Sequence, residues 1–142
     1  QANALSRELT GKGLSKQSFY LFPKICELDD WLMHHERQGE WYECHPEVAF
    51  AQLNNGIALK ASKKTDIGQG ERISLLADLP GVDAALERAG QDYKRKDVLL
   101  DDCIDALVCL LTAERDQHQR VVIPAIPDKD ERGLTMAIVA PA

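Results

Sequence analysis

The segment from Asp97 to about Gln119 limits most strongly what this chain can fold into. It carries the most sustained helical pattern, and it changes character partway. Its first turns hold Asp101-Asp102-Cys103-Ile104-Asp105, after which residues 106–113 contain no charge on any side. A helix that is apolar all round is buried. The pattern therefore predicts a core helix, capped at Asp97, with Asp105 at the mouth of its buried part. With 3.6 residues per turn, Asp102 and Asp105 lie about 60° apart and Asp101 and Asp105 about 40° apart. The three acids share one arc of roughly 100°, opposite Leu100, Ile104, Leu107 and Leu111.

Like charges three and four residues apart repel. The positive end of the helix accounts for Asp97 and for Asp101. That field fades after the first turn, so Asp102 and Asp105 read better as ligands of a bound cation. Glu43 is a second candidate, because it ends a predicted strand, and open α/β sheets form their sites at the carboxyl ends of strands. Its plain alternative is an edge-strand surface acid. Carboxylates around one or two divalent ions can activate water and steady a leaving oxygen in phosphodiester cleavage.

Basic residues supply the complementary chemistry. Lys63 and Lys64 stand just before a predicted helix start, where amides and lysines together seat a phosphate. Arg72, further along that helix, can face the same way. A solvated loop with two ordinary lysines is the plainer reading. His45 can position water or phosphate, although helix capping is the favoured role. His34 and His35 are adjacent and point to different sides, so a zinc site is not expected. No Gly-x-x-x-x-Gly-Lys-Ser/Thr, Gly-x-Ser-x-Gly or Gly-x-Gly-x-x-Gly occurs.

The 142 residues suit a single domain, and 44 % hydrophobic with 28 % charged residues is an ordinary globular balance. No apolar run approaches the ~20 residues of a membrane span. The formal net charge of -6 argues against a broad basic face gripping nucleic acid, though a metal-dependent nuclease centre is itself acidic. Cys26, Cys44, Cys103 and Cys109 show neither C-x-x-C nor zinc spacing. They read as reduced, mostly buried thiols of a cytoplasmic protein. The chain begins at Gln1, which fits processing or a piece of something longer.

Along the chain, a short helix through Ala4 to Leu9 is broken by Gly11-Lys12-Gly13. Ser15 caps the next helix, which Pro23 must kink or restart. That helix frays near Glu36 and stops at Gly39. Residues 40–44 read as a strand, with His45 as cap, Pro46 at the first helical position and a short helix to Asn54-Asn55-Gly56. Thr65 or Asp66 caps a helix to about Leu79, and another covers residues 82–89. Two strands, 121–123 and 134–139, follow the long helix. A sheet of about three short strands covers its faces poorly, so further strands are expected from a missing segment or a second copy.

The ordered set Glu43-Cys44-His45-Pro46-Glu47, Ser62-Lys63-Lys64-Thr65 with Gly68 and Glu71-Arg72, and Asp102-Cys103-Ile104-Asp105-Ala106-Leu107 resembles the domain of unknown function 429 family. So do residues 14–32 and the tail with Pro127, Asp130, Gly133-Leu134 and Met136-Ala137-Ile138. That family is described as predicted nucleases of the RNase H fold, and Asp102-x-x-Asp105-Ala106 is also similar to the last acidic motif of RuvC-type resolvases. The resemblance implies an α/β, RNase H-like fold, incomplete because its N-terminal strands are absent. It implies catalytic and metal roles for Glu43, Asp102 and Asp105 with Mg²⁺ or Mn²⁺, and Lys63 and Lys64 match the family's lysine-rich loop; with His45 and Arg72 they are the expected substrate-binding residues. Nucleic acid is the implied partner. RNase H folds open with a strand bearing a metal-binding aspartate, and none precedes Glu43. Residues 1–142 therefore read as the C-terminal portion of such a domain, expected to be inactive alone. Two rivals stand beside this reading: a non-catalytic binding or scaffold module that keeps the fold, and a phosphate-ligand enzyme related to the acetate and sugar kinases, whose phosphate-loop glycines are absent.

Overall fold

The computed structural model describes residues 1–34 and 40–142. The chain divides into two compact units, Gln1–Trp41 and Tyr42–Ala142. The expected fraying at Glu36, the stop at Gly39 and the orientation of His35 lie outside the described residues.

The first unit holds two helices, α1 (Ala2–Thr10) and α2 (Lys16–His34). Gly11 closes α1 at φ 72°, donating its N–H to the Arg7 carbonyl, a left-handed cap that glycine adopts without steric cost. Ser15 caps α2 as expected, its hydroxyl accepting the Ser18 amide at 3.0 Å. The helix does not restart at Pro23, which lies inside it. Proline only deprives the Phe19 carbonyl of its usual donor, and eleven further residues continue the helix. None of the described residues of this unit is buried.

The second unit holds the core. Helix α3 (Pro46–Leu53) begins where the sequence places it, with Pro46 at the first position and Glu47 in the first turn. Helix α4 (Asp66–Leu75) follows a loop, and α5 (Val82–Asp92) leads to α6 (Leu100–Glu114). A 3₁₀ turn, Gln117–Gln119, opens into strand β1 (Arg120–Ile123), which pairs antiparallel with β2 (Ile138–Pro141). The expected strand at 40–44 shrinks to one parallel bridge, Glu43 to Ile138, with the Val139 amide donating to the Glu43 carbonyl at 2.7 Å. Pro46 starts α3 too soon afterwards to let a ladder develop. The later strand moves to residues 138–141, because Leu134 is held in a turn: Asp130 Oδ1 accepts the amides of Arg132 and Leu134. The result is a helix-rich chain with a small two-stranded antiparallel sheet, consistent with an incomplete α/β fold.

Helices α3, α4, α5 and strand β2 all pack against α6. Ala49 and Phe50 from α3 meet Ile104, Val108 and Leu111 from α6, with Leu76, Leu79, Val82 and Ala140 closing the cluster. The α6 bounds differ from expectation. Asp97 sits in a turn on the Lys94 carbonyl, Leu99 takes the cap position, and Arg115 is extended at the far end. The charge-free stretch is not buried all round either: Ala106, Leu110 and Ala113 are exposed, a stripe that the neighbouring elements leave open.

Two substitutions on this one helix test that division. Ile104→Ala should cost about 2–5 kcal/mol of unfolding free energy, as for other fully buried isoleucines. Leu110→Ala, at a site 46 % exposed, should cost within about 0.5 kcal/mol. Urea denaturation of both variants decides; equal costs would contradict the burial pattern.

Candidate functional site

The loop before α4 is built tightly. Thr65 is its hub: its hydroxyl donates to the Ser62 carbonyl at 2.8 Å and accepts the Gly68 amide at 3.2 Å. The Thr65 amide also reaches Ser62 O, at 3.0 Å. Threonine is a good N-cap because its oxygen answers an amide the helix leaves unpaired. Here the same hydroxyl fastens the preceding loop, and Lys63 and Lys64 diverge. Lys64 is exposed, whereas Lys63 turns toward α6.

Lys63 Nζ donates to Asp105 Oδ2 at 2.5 Å, with the lysine side chain one-third and the aspartate 18 % exposed. Asp105 Oδ1 is buried and has no hydrogen-bond partner among the described residues. The hydrogen bond to Asp105 raises the Lys63 pKa above 10.5 against the opposing effect of burial, and the charges of Asp105, Asp101 and Glu47 act in the same upward direction. Three acids thus face Lys63 from two helices. Asp101 is buried, at 8 % exposed. The sequence reading set it aside as a helix-end complement. The 40° offset from Asp105 was the signal that could have promoted it.

Arg72 does not open toward a substrate as the sequence reading expects. It is 3 % exposed, and its five N–H groups turn inward. Nε and Nη2 donate to the Glu47 carboxylate at 2.8–3.2 Å. Nη1 donates to the carbonyls of Ala61, at 3.2 Å, and Gly68, at 2.8 Å. The guanidinium also lies over the Phe50 ring, 5.7 Å from its centre. The bare amphipathic spacing of α4 gave no hint of this, because the partner acid comes from α3.

The remaining candidates are dispersed or exposed. Glu43, His45 and Asp102 are all exposed. His45 holds the cap position of α3 without a side-chain hydrogen bond, since its backbone carbonyl receives the Val48 and Ala49 amides instead. His34 Nδ1 lies 2.7 Å from the Asp30 carbonyl. Among the described residues, no three His, Cys, Asp or Glu side chains gather at a spacing that would hold a metal ion. What the structure does bring together is the pair Asp105 and Lys63, in the field of Asp101 and Glu47.

A thiol pair lies along the same helix. Cys44 donates to Thr112 Oγ1 at 3.8 Å, and Thr112 in turn donates to the Val108 carbonyl. Burial pushes the Cys109 thiol well above its usual range, with Cys44 and then Asp105 adding to the effect. All four cysteines are free, and Cys26 is exposed.

Two outcomes follow from this chemistry. Lys63 has a raised pKa, so its stabilisation is complete below pH 10.5 and is lost as pH climbs through the folded value. Lys63→Met should therefore unfold at lower urea than the parent at pH 8, and the gap should narrow above pH 10.5. An unchanged gap would disprove the link. At pH 8, iodoacetamide should label Cys26 much faster than Cys109, as read by peptide mass spectrometry.

The family model described as a protein of unknown function (DUF429) matches residues 1–131. No curated protein and no solved structure matches the chain at a significant level.

Proposed function

For a chain that belongs to the DUF429 family, we propose a divalent-metal-dependent phosphodiesterase of the nuclease class, built on an RNase H-like fold and organised by Asp105. The observation that carries this reading is the buried Asp105 oxygen without a partner. An unanswered carboxylate oxygen in a sheltered position is costly unless something positive meets it. The surroundings are short of positive charge. Asp101, Asp105 and Glu47 face Lys63, while Arg72 is committed to Glu47.

Carboxylate oxygens are the donors a hard cation prefers. Mg²⁺ commonly rests on one or two protein carboxylates and completes its shell with water and substrate phosphate, so a three-ligand protein cage is not required. Asp105 would be the principal ligand, with Asp102 and Glu43 as the further acids of the motif set. Mg²⁺ or Mn²⁺ would supply Lewis-acid polarisation and an activated water there. The chain's own residues do the rest. Lys63 holds Asp105 in place and balances its charge. Lys64, exposed at the start of α4, meets a backbone phosphate, and His45 lies exposed two residues after Glu43. A phosphodiester of nucleic acid is the substrate this arrangement suits. Free cysteines suit a reducing, cytoplasmic setting, and no helix among the described residues is long and apolar enough to cross a membrane.

One specific observation favours a second reading, a non-catalytic binding module. Lys63 already neutralises Asp105, and Glu43 and Asp102 are exposed rather than gathered around it. Thermal unfolding of the full-length protein with Mg²⁺ or Mn²⁺ separates the two. Bound metal at a hundredfold excess over its Kd adds about 2.7 kcal/mol of stability. The midpoint should rise in the parent and stay fixed in Asp105→Asn. Single-stranded, duplex and branched substrates should be cleaved by the parent only. No metal response and no cleavage in the parent would leave the binding module, and equal cleavage in both proteins would refute the role given to Asp105.

A further inference from the structure

We propose that Arg72 is the positioning residue of this centre: with Glu47 and Gly68 it locks the loop that aims Lys63 at Asp105. This rests on the reading of Lys63 and Asp105 as the working pair. The geometry behind it is independent of any bound ion.

The loop from Ala61 to Thr65 has no regular partner of its own, so its conformation must be imposed. Three ties impose it. Arg72 Nη1 donates to the Ala61 carbonyl at the entrance of the loop and to the Gly68 carbonyl in the first turns of α4. One nitrogen thus bridges the two segments that flank Lys63. Thr65 fastens the Ser62 carbonyl from the helix cap. Gly68 lets the two backbones close up: a Cβ there would stand 2.1 Å from Ser62 O and 2.7 Å from Ser62 C. That contact is with backbone, so it cannot be relieved by a side-chain turn.

Arg72 can bridge in this way only if it is itself fixed. Glu47 does that, with a two-pronged carboxylate contact from the first turn of α3. Phe50, one turn along α3, lies under the guanidinium plane. Phe50 is fully buried in the core that α6 completes. A chain of contacts therefore runs from the core, through Phe50 and Arg72, to the loop, and ends at Lys63 on Asp105. Lysine cannot substitute for Arg72, because its ammonium has three donors and no planar fork, whereas the site uses five N–H groups in one plane. With every donor engaged and 3 % exposure, the guanidinium acts on the loop rather than facing solvent.

The test is whether the Lys63–Asp105 interaction depends on Arg72. A double-mutant cycle with Lys63→Met and Asp105→Asn measures the pair's coupling by urea denaturation. The cycle is run in the parent and in an Arg72→Lys background, which preserves the charge. The parent should show a coupling of about three- to tenfold in the unfolding constant. In Arg72→Lys the coupling should fall to near onefold, while circular dichroism still reports a folded protein. A residue of merely structural importance would lower overall stability and leave the coupling intact, and that result overturns the proposal. Should Arg72→Lys fail to fold, Glu47→Asp takes its place: the charge remains, but the carboxylate is withdrawn by one methylene from Arg72. Coupling that survives in Glu47→Asp then overturns the proposal, and its loss supports it. None of these readouts uses cleavage, so an inactive protein with Arg72-dependent coupling refutes the phosphodiesterase reading and leaves the lock standing.

Discussion

A guanidinium removed from water must have its charge and its donors answered within the protein, and Arg72 is where this fold meets that demand. Leaving a buried charge unpaired costs several kcal/mol, far more than the net gain from making the pair. Glu47, Ala61 and Gly68 therefore have little freedom. Their positions tie α3, α4 and the intervening loop into one rigid corner beside α6. The apolar core contributes the bulk of the stability, but this polar contact sets which way the loop runs.

The electrostatics of the corner follow from its composition. Acids from α3 and α6 outnumber the two cations that reach them, and one of those cations is wholly committed. Lys63 balances Asp105, whose two oxygens live in different circumstances. One holds Lys63 and the other holds nothing. That asymmetry distinguishes the site from the ordinary surface pairs of the chain, such as Arg88 with Asp92 on α5, which are exposed and contribute little.

Much of this was legible in the sequence, for reasons that can be named. Pro46, Thr65 and Ser15 mark helix starts because each meets a local need of the backbone, and local needs are written locally. The clustering of acids at the start of α6 was likewise visible from helical spacing. What failed was anything set by distant partners. The strand at 40–44 looked adequate by aromatic content, yet Tyr42 spends its ring on Arg120, 4.9 Å from ring centre to guanidinium, rather than in a ladder. The all-round burial of residues 106–113 assumed neighbours on every side, and α6 leaves the stripe of Ala106, Leu110 and Ala113 open. The inward turn of Arg72 was hidden for the same reason, since the sequence puts Glu47 twenty-five residues away. Family resemblance supplied the identity of the motif set, but not which of its members touch.

The tight contact between Gly68 and Ser62 has a consequence for chain length as well as residue identity. Thr65 and Arg72 both measure distance along the backbone from fixed points, so the six-residue step from Ser62 to Gly68 fits where a step of five or seven would not. Insertions or deletions there would slide Lys63 past its target or strip the helix of its cap. Length variation among natural versions of this chain is therefore expected to spare this loop.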